Sequence, residues 1–352
     1  MGCKKVICEE GLEITTSRNL PLFIMSCVAR GYTRNLRAHF GMSYGATGTL
    51  GKSNWMSALF NNHRIIKDIE EYLEGHHPDD TLLEIKAIME TCQKASDALP
   101  EDPYLALASI LDFYPTYFAA LGMMNNLMRY LGDEEEKGIL TKETVHVLMG
   151  ERDKVAKFYP QIEKTIFDCT DIIGQLLGFE GDLMRYMSLP EMDIFLKEKK
   201  LGEAQLKILE ERKEGYVMVY LEEGDQEIIQ TGSIVAEIRE MLQPSISTTE
   251  LKGTCAFPGR AKGRVHNLLT DRNWHPPKGA IIVTTMTNPD DTPIIKNASA
   301  LITEEGGILS HAAVLSRELM IPCIMSTKYA TQMLKTGDII EVDAEKGIIK
   351  KV

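Results

Sequence analysis

The sixteen residues EEGGILSHAAVLSREL, 304–319, bring together the groups that phosphoryl transfer requires. Gly306 and Gly307 let the backbone turn sharply and come close to a bound group. Ser310 is a helix cap standing before HAAVLSREL, whose apolar residues recur at helical spacing, so His311 falls in the first turn of a helix. The unpaired amides at that end hold oxyanions, and its positive pole favours an uncharged imidazole. A neutral ring is the nucleophile that phosphoryl transfer needs, and the amides stabilise the phosphoryl group once it is attached. The same residues also fit a plainer reading, a capped helix in which His311 is only a polar first-turn residue.

Such a histidine needs a strand before the turn and a second strand after the helix. ALIT (300–303) and CIMS (323–326) supply them, with Pro322 as the exit from the helix. The surrounding segments AIIVTT (280–285), IIEVD (339–343) and GIIKKV (347–352) are equally short and β-rich. The DAEKG turn closes the last two into a terminal hairpin. Upstream, QPSISTTE (243–250) has no periodicity and marks a boundary. The expected organisation is a domain over 1–245 and a second over 250–352.

The run TEEGGILSHAAVLSRELMIP resembles the phosphohistidine signature of phosphoenolpyruvate-utilising enzymes, which include phosphoenolpyruvate synthase, pyruvate phosphate dikinase and rifampin phosphotransferase. The resemblance extends over about 252–352. GTCAFPGRAKGRV is similar to the family's first strands, KGAIIVTTMTNPDDTPIIKNASALIT to its central strands and LKTGDIIEVDAEKGIIKKV to its closing hairpin. It implies a small swivelling β/β/α domain. It places the phosphorylated histidine on His311, the phosphate-holding turn on Thr303, Gly306, Gly307 and Ser310, and a helix arginine on Arg317. Phe257 and Met320 depart from the pattern, standing where the family has a small serine and a glycine. Family members pair this domain with an ATP-grasp domain, a phosphoenolpyruvate-binding barrel or a helical acceptor domain, and this chain has no stretch resembling the first two. The implied partner is therefore an ATP-grasp donor protein, or a donor domain absent from this sequence, which would use Mg²⁺ with ATP or phosphoenolpyruvate. The order of the two domains is most similar to the back two-thirds of rifampin phosphotransferase-like enzymes, which implies a small-molecule acceptor.

Residues 12 to about 242 read as helix after helix, rich in Leu, Met, Ala, Glu and Lys. Thr81-x-x-Glu84 is a capping box in front of a helical run that Pro100 stops, and YLALASILDFYPTYFAALGMMNNLMRYLG and LGEAQLKILEERKEGYVMVYL are further runs. The expected fold class is thus multidomain α and α/β, with an irregular α-helical N-terminal domain. ATGTLGKS (46–53) fits a relaxed P-loop, with Ala46 in place of the first glycine. A P-loop needs a strand before it and a helix after it. LRAHFGMSYG is a poor strand, so a glycine-rich loop between helices is preferred. His76 and His77 read as a solvated loop rather than a metal site, and His39, His63 and His146 as isolated residues. Met123, Met124 and Met128 with Leu121 and Leu127 fit either an adaptable acceptor lining or, more commonly, helix core.

Charge is unevenly spread: residues 251–352 carry 13 Lys+Arg and 10 Asp+Glu, leaving 26 and 41 for residues 1–250, so the balance is +3 against −15. An acidic surface of that size argues against nucleic acid or anionic lipid as a partner. Seven scattered cysteines with no CxxC spacing read as free thiols, MGCKKVICEE lacks a signal-peptide core, and no apolar run reaches membrane-span length. The expectation is a cytoplasmic protein without structural zinc. Two rival readings stand beside the phosphocarrier: a non-catalytic binding or regulatory protein that retains the swivelling fold, and a self-sufficient enzyme that binds nucleotide at ATGTLGKS.

Overall fold

The computed structural model describes residues 2–18, 20–52, 55–136, 150, 158–242, 250–269, 276–287, 291–307 and 310–352. His146 and Ser53 lie outside the described residues, as does the side chain of His63. The chain divides into two compact units, Met1–Leu242 and Gln243–Val352.

The first unit combines helices with a sheet that its sequence does not announce. Strands β1 (Glu13–Arg18), β2 (Ala46–Lys52), β3 (Trp55–Phe60), β4 (Tyr216–Leu221) and β5 (Gln226–Thr231) form an antiparallel sheet in the order β1-β3-β2-β4-β5. The expectation of an irregular α-helical domain is corrected accordingly. The P-loop reading fails here, and so does the preferred loop between helices. Ala46–Lys52 is the central strand, antiparallel to both neighbours, with Ala46–Gly51 buried. Its glycines serve packing. A Cβ on Gly48 would lie 3.0 Å from the Leu59 side chain, and one on Gly51 would sit 2.2 Å from the Tyr216 ring. A strand buried on both faces shows no alternation, and glycine and threonine mask its type.

On one face of this sheet Leu50, Leu59 and Val217 pack against Cys3 and Val6 of the helix Cys3–Glu9, and the other face packs into the main helical core. At the centre of that core runs the helix Pro103–Glu136. Its stretch Pro103–Met128 is long and apolar enough to cross a membrane, contrary to the expectation that no run is, but 61% of that apolar window is buried within the unit. Met123, Met124 and Leu127 are fully buried in it, which makes them core. The helix expected to open at Thr81 starts at Pro78 instead, capped by the His77 ring, and Thr81 bonds back to the His77 carbonyl.

The second unit is one eight-stranded mixed sheet. Its strands are β6 (Glu250–Lys252), β7 (Thr254–Phe257), β8 (Arg260–Asn267), β9 (Ile281–Thr284), β10 (Ala300–Thr303), β11 (Cys323–Met325), β12 (Ile339–Asp343) and β13 (Ile348–Lys351), in the order β6-β13-β12-β8-β9-β10-β11-β7. β8 to β11 are parallel, and antiparallel strands close both edges. Parallel strands need both faces covered. Ile281, Val283, Ile302 and Ile324 fill one face with Ile340 and Val342, while Ile282, Leu301, Cys323 and Met325 meet Ala312, Ala313 and Leu315 of the helix His311–Leu319 on the other. That amphipathic helix is thereby fixed on the face of the sheet, with its N-terminus following the carboxyl end of β10, where open parallel sheets bind ligands.

Candidate phosphohistidine site

β10 ends at Thr303, and the chain turns through Glu304–Gly307 into the helix that starts at His311. Gly306 has φ 124°, a conformation open to glycine alone, and a Cβ there would lie 2.8 Å from the Ser310 hydroxyl. Gly307 differs: its φ is not positive, and among the described residues nothing lies within 4 Å of a Cβ placed on it. Its carbonyl accepts from the Ser310 amide at 2.8 Å. Ser310 caps the helix as expected, its Oγ accepting from the Ala313 amide at 3.3 Å, an arrangement worth about 1 kcal/mol. The Ser310 hydroxyl also donates to Met325 Sδ at 3.2 Å.

His311 is half-buried at the first position of this nine-residue helix. Its Nδ1 lies 2.9 Å from the Thr287 hydroxyl, in the loop after β9. Thr287 is itself buried, so this bond fixes the ring plane. When Nδ1–H donates to Thr287, the lone pair resides on Nε2, and Nε2 is the ring atom left for a substrate. Thr287 is the contact to His311 that reading the motif alone misses. Its only signal is a third threonine after a strand, in TTMTNPD.

Thr303 is fully buried and donates to the Glu305 carbonyl at 2.6 Å, shaping the turn rather than facing outward. Glu304 is held by Thr331: one carboxylate oxygen accepts from the Thr331 amide at 2.7 Å and its hydroxyl at 2.6 Å. Burial raises the Glu304 carboxyl above the ordinary range, against the Thr331 bonds that favour the ionised form. Cys323, beneath the helix, is pushed up to about 12 by burial, which makes it a packing residue and not a nucleophile. Arg317 stands exposed in the last turn, about 9 Å along the axis from His311. The fold therefore gathers Thr303, Gly306, Gly307, Ser310 and His311 and leaves Arg317 apart.

With this geometry in hand, the comparisons with known proteins are specific. Residues 276–347 match the family described as PEP-utilising enzyme, mobile domain. Probable phosphoenolpyruvate synthase of Pyrococcus horikoshii is 51% identical over 102 residues, 29% of this chain and 12% of the relative. Phosphoenolpyruvate synthase of Pyrococcus furiosus is 50% identical over 102 residues, with the same coverage. The C-terminal unit carries a PEP-utilising enzyme mobile domain. A third relative, the probable phosphoenolpyruvate synthase of Archaeoglobus fulgidus, is 47% identical over 100 residues, 28% of this chain and 13% of the relative. The chain thus spans about an eighth of the length of these relatives, and what it shares with them is the mobile domain.

The mobile domain's two departures have distinct consequences. Phe257, opposite Cys323 across the β7–β11 pair, packs partly buried into the core beneath the histidine helix. Met320 closes that helix in the left-handed region, with φ 53° and 75% exposure. A side chain there strains the backbone without burying anything, which is why a glycine fits the position. Met320→Gly is expected to stabilise the mobile domain by about 1 kcal/mol, read as a higher melting temperature of the C-terminal unit.

Proposed function

We propose that this protein is a phosphotransferase component in which His311 carries a phosphoryl group from a donor site to an acceptor. The observation that carries the reading is the ring itself: Nδ1 held by Thr287, with the ring set at the N-terminus of a helix behind a glycine turn. In the first half-reaction Nε2 attacks phosphorus in line. The P–N bond forms as the donor's P–O bond breaks, and that electron pair leaves with the donor oxygen. Nδ1–H stays on the ring, and the Thr287 oxygen accepts it as the imidazole gains positive charge. In the second half-reaction an acceptor hydroxyl oxygen attacks, its proton leaves to solvent, the P–N bond breaks, and that electron pair returns to Nε2. The helix amides and the Gly306–Gly307 turn lie beside the ring for the phosphoryl oxygens.

The donor is read as an ATP-grasp protein, or a domain beyond this sequence, that binds Mg²⁺ with ATP or phosphoenolpyruvate. Support comes from the synthase relatives, of which the mobile domain is a minor part. The acceptor is read as a small molecule held by the N-terminal unit, an assignment resting on the domain order. Mixing the full chain with a phosphoenolpyruvate synthase stripped of its own mobile domain, together with Mg²⁺ and ATP or phosphoenolpyruvate, tests the reading. It predicts an acid-labile phosphoryl group on His311, and it fails if His311 stays unmodified with either donor. Thr287→Val keeps the shape of the side chain and removes its hydrogen bond. The variant is expected to fold normally and to take up phosphate roughly tenfold to a hundredfold more slowly, measured as the initial rate of phosphohistidine formation.

A further inference from the structure

We propose that the segment Met325–Thr331, which begins at the last residue of β11, is a clamp that holds the histidine turn in its working conformation, with Ser326 and Thr331 as positioning residues. The proposal rests on the phosphocarrier reading. The segment grips the turn at successive points. Met325 Sδ accepts from the Ser310 hydroxyl at 3.2 Å, the Ser326 hydroxyl donates to the Gly306 carbonyl at 2.9 Å, the Thr327 amide donates to the Thr303 carbonyl at 3.0 Å, and Thr331 donates to Glu304 from both its amide and its hydroxyl. Every turn residue so engaged belongs to the stretch between the end of β10 and the start of the histidine helix.

The same short segment stores backbone strain. Ser326 (φ 53°) and Tyr329 (φ 66°) are two of the five non-glycine residues with positive φ among those described. The left-handed region is unfavourable for residues with a side chain, and strain of this kind persists where surrounding contacts enforce it. At Ser326 the enforced geometry has a direct effect on the site. In a trans peptide the carbonyl and the following N–H point in opposite directions, so fixing the Gly306 oxygen also fixes the direction in which Gly307 presents its amide. Gly307 has no described atom within 4 Å of its side-chain position and no positive φ, and its amide is the donor whose direction the Gly306 carbonyl sets. Ser326 would thus aim one donor of the cradle without touching phosphate itself.

Ser326→Gly separates positioning from stability, because glycine relaxes the strained φ while deleting the hydroxyl that holds Gly306. Thr331→Val deletes one of the two bonds to Glu304 and serves as the second variant. The full chain is treated with phosphoramidate, which needs no donor protein, and uptake at His311 is followed together with hydrogen exchange of the Ser310 amide and the melting temperature. The clamp predicts that Ser326→Gly melts no lower than the parent, takes up phosphate at His311 roughly tenfold more slowly and exchanges the Ser310 amide faster. The proposal is overturned if both variants leave the uptake rate and the Ser310 exchange unchanged. If His311 of the parent takes up nothing, the carrier reading falls. Ser310 exchange then decides the clamp alone, faster exchange supporting it and unchanged exchange refuting it.

Discussion

Replacing His311 with alanine is expected to remove the phosphoryl uptake of the C-terminal unit while leaving its stability within about 1 kcal/mol of the parent. In the phosphocarrier reading the loss is complete because the described neighbours of His311 offer no second nucleophile. The buried Cys323 thiol is held up to about 12, and Ser310 spends its oxygen on the Ala313 amide and its proton on Met325. Stability is spared because the ring is half-buried and its one hydrogen bond to Thr287 is of the kind worth about 1 kcal/mol, while Ser310 continues to cap the helix. Acid-labile, alkali-stable label counted on the intact chain is the readout. Label that persists in the variant would move the chemistry elsewhere.

The second large effect lies at Gly306. Alanine there must adopt φ 124° and brings its Cβ to 2.8 Å from Ser310 Oγ and 3.1 Å from Ser310 Cβ. The backbone alone costs about 1–3 kcal/mol, and relieving the clash means moving the residue that caps the histidine helix. The expected result is a lower melting temperature of the C-terminal unit together with a drop of about a hundredfold in phosphate uptake. Gly307→Ala is the matched comparison. Its φ is ordinary and its Cβ meets nothing within 4 Å among the described residues, so stability is expected to hold. If the open space is where phosphoryl oxygens lie, uptake falls all the same. Calorimetry beside initial rates separates the two glycines.

The two units differ sharply in how far their sequences disclose them. In the C-terminal unit, ALIT, CIMS and IIEVD are short, β-branched and bounded by turn residues, and the helix between them has its cap and its apolar stripe in view. β10, β11, β12 and the closing hairpin are therefore readable directly. Most of the site follows from the same local grammar, since Gly306, Gly307, Ser310 and His311 are neighbours in the chain. Thr287, Ser326 and Thr331 are not, and they reach the site only because β9, β10 and β11 lie side by side. A through-space contact of that kind leaves no mark at helical or strand spacing.

The N-terminal unit conceals its sheet for a physical reason. β2 is ATGTLGK, whose glycines exist to admit Leu59 and the Tyr216 ring, so the strand lacks the β-branched apolar run that would signal it. β4, YVMVYL, follows directly on the helix Glu203–Glu214 with only Gly215 between them, so its apolar run reads as a continuation of that helix. Five antiparallel strands drawn from both ends of a helical stretch are a long-range pairing, which local periodicity does not encode.

In the phosphocarrier reading the His311 ring accepts the phosphoryl group on Nε2. The most direct test is the site-by-site rate of phosphate uptake in the full chain treated with phosphoramidate, because the exposed His76 and His77 of the same molecule serve as internal standards. The account predicts that His311, though half-buried, is phosphorylated faster than either of them, and that ³¹P spectra show the Nε2 isomer. Uptake at His311 no faster than at His76 and His77, or on Nδ1 in place of Nε2, would contradict it.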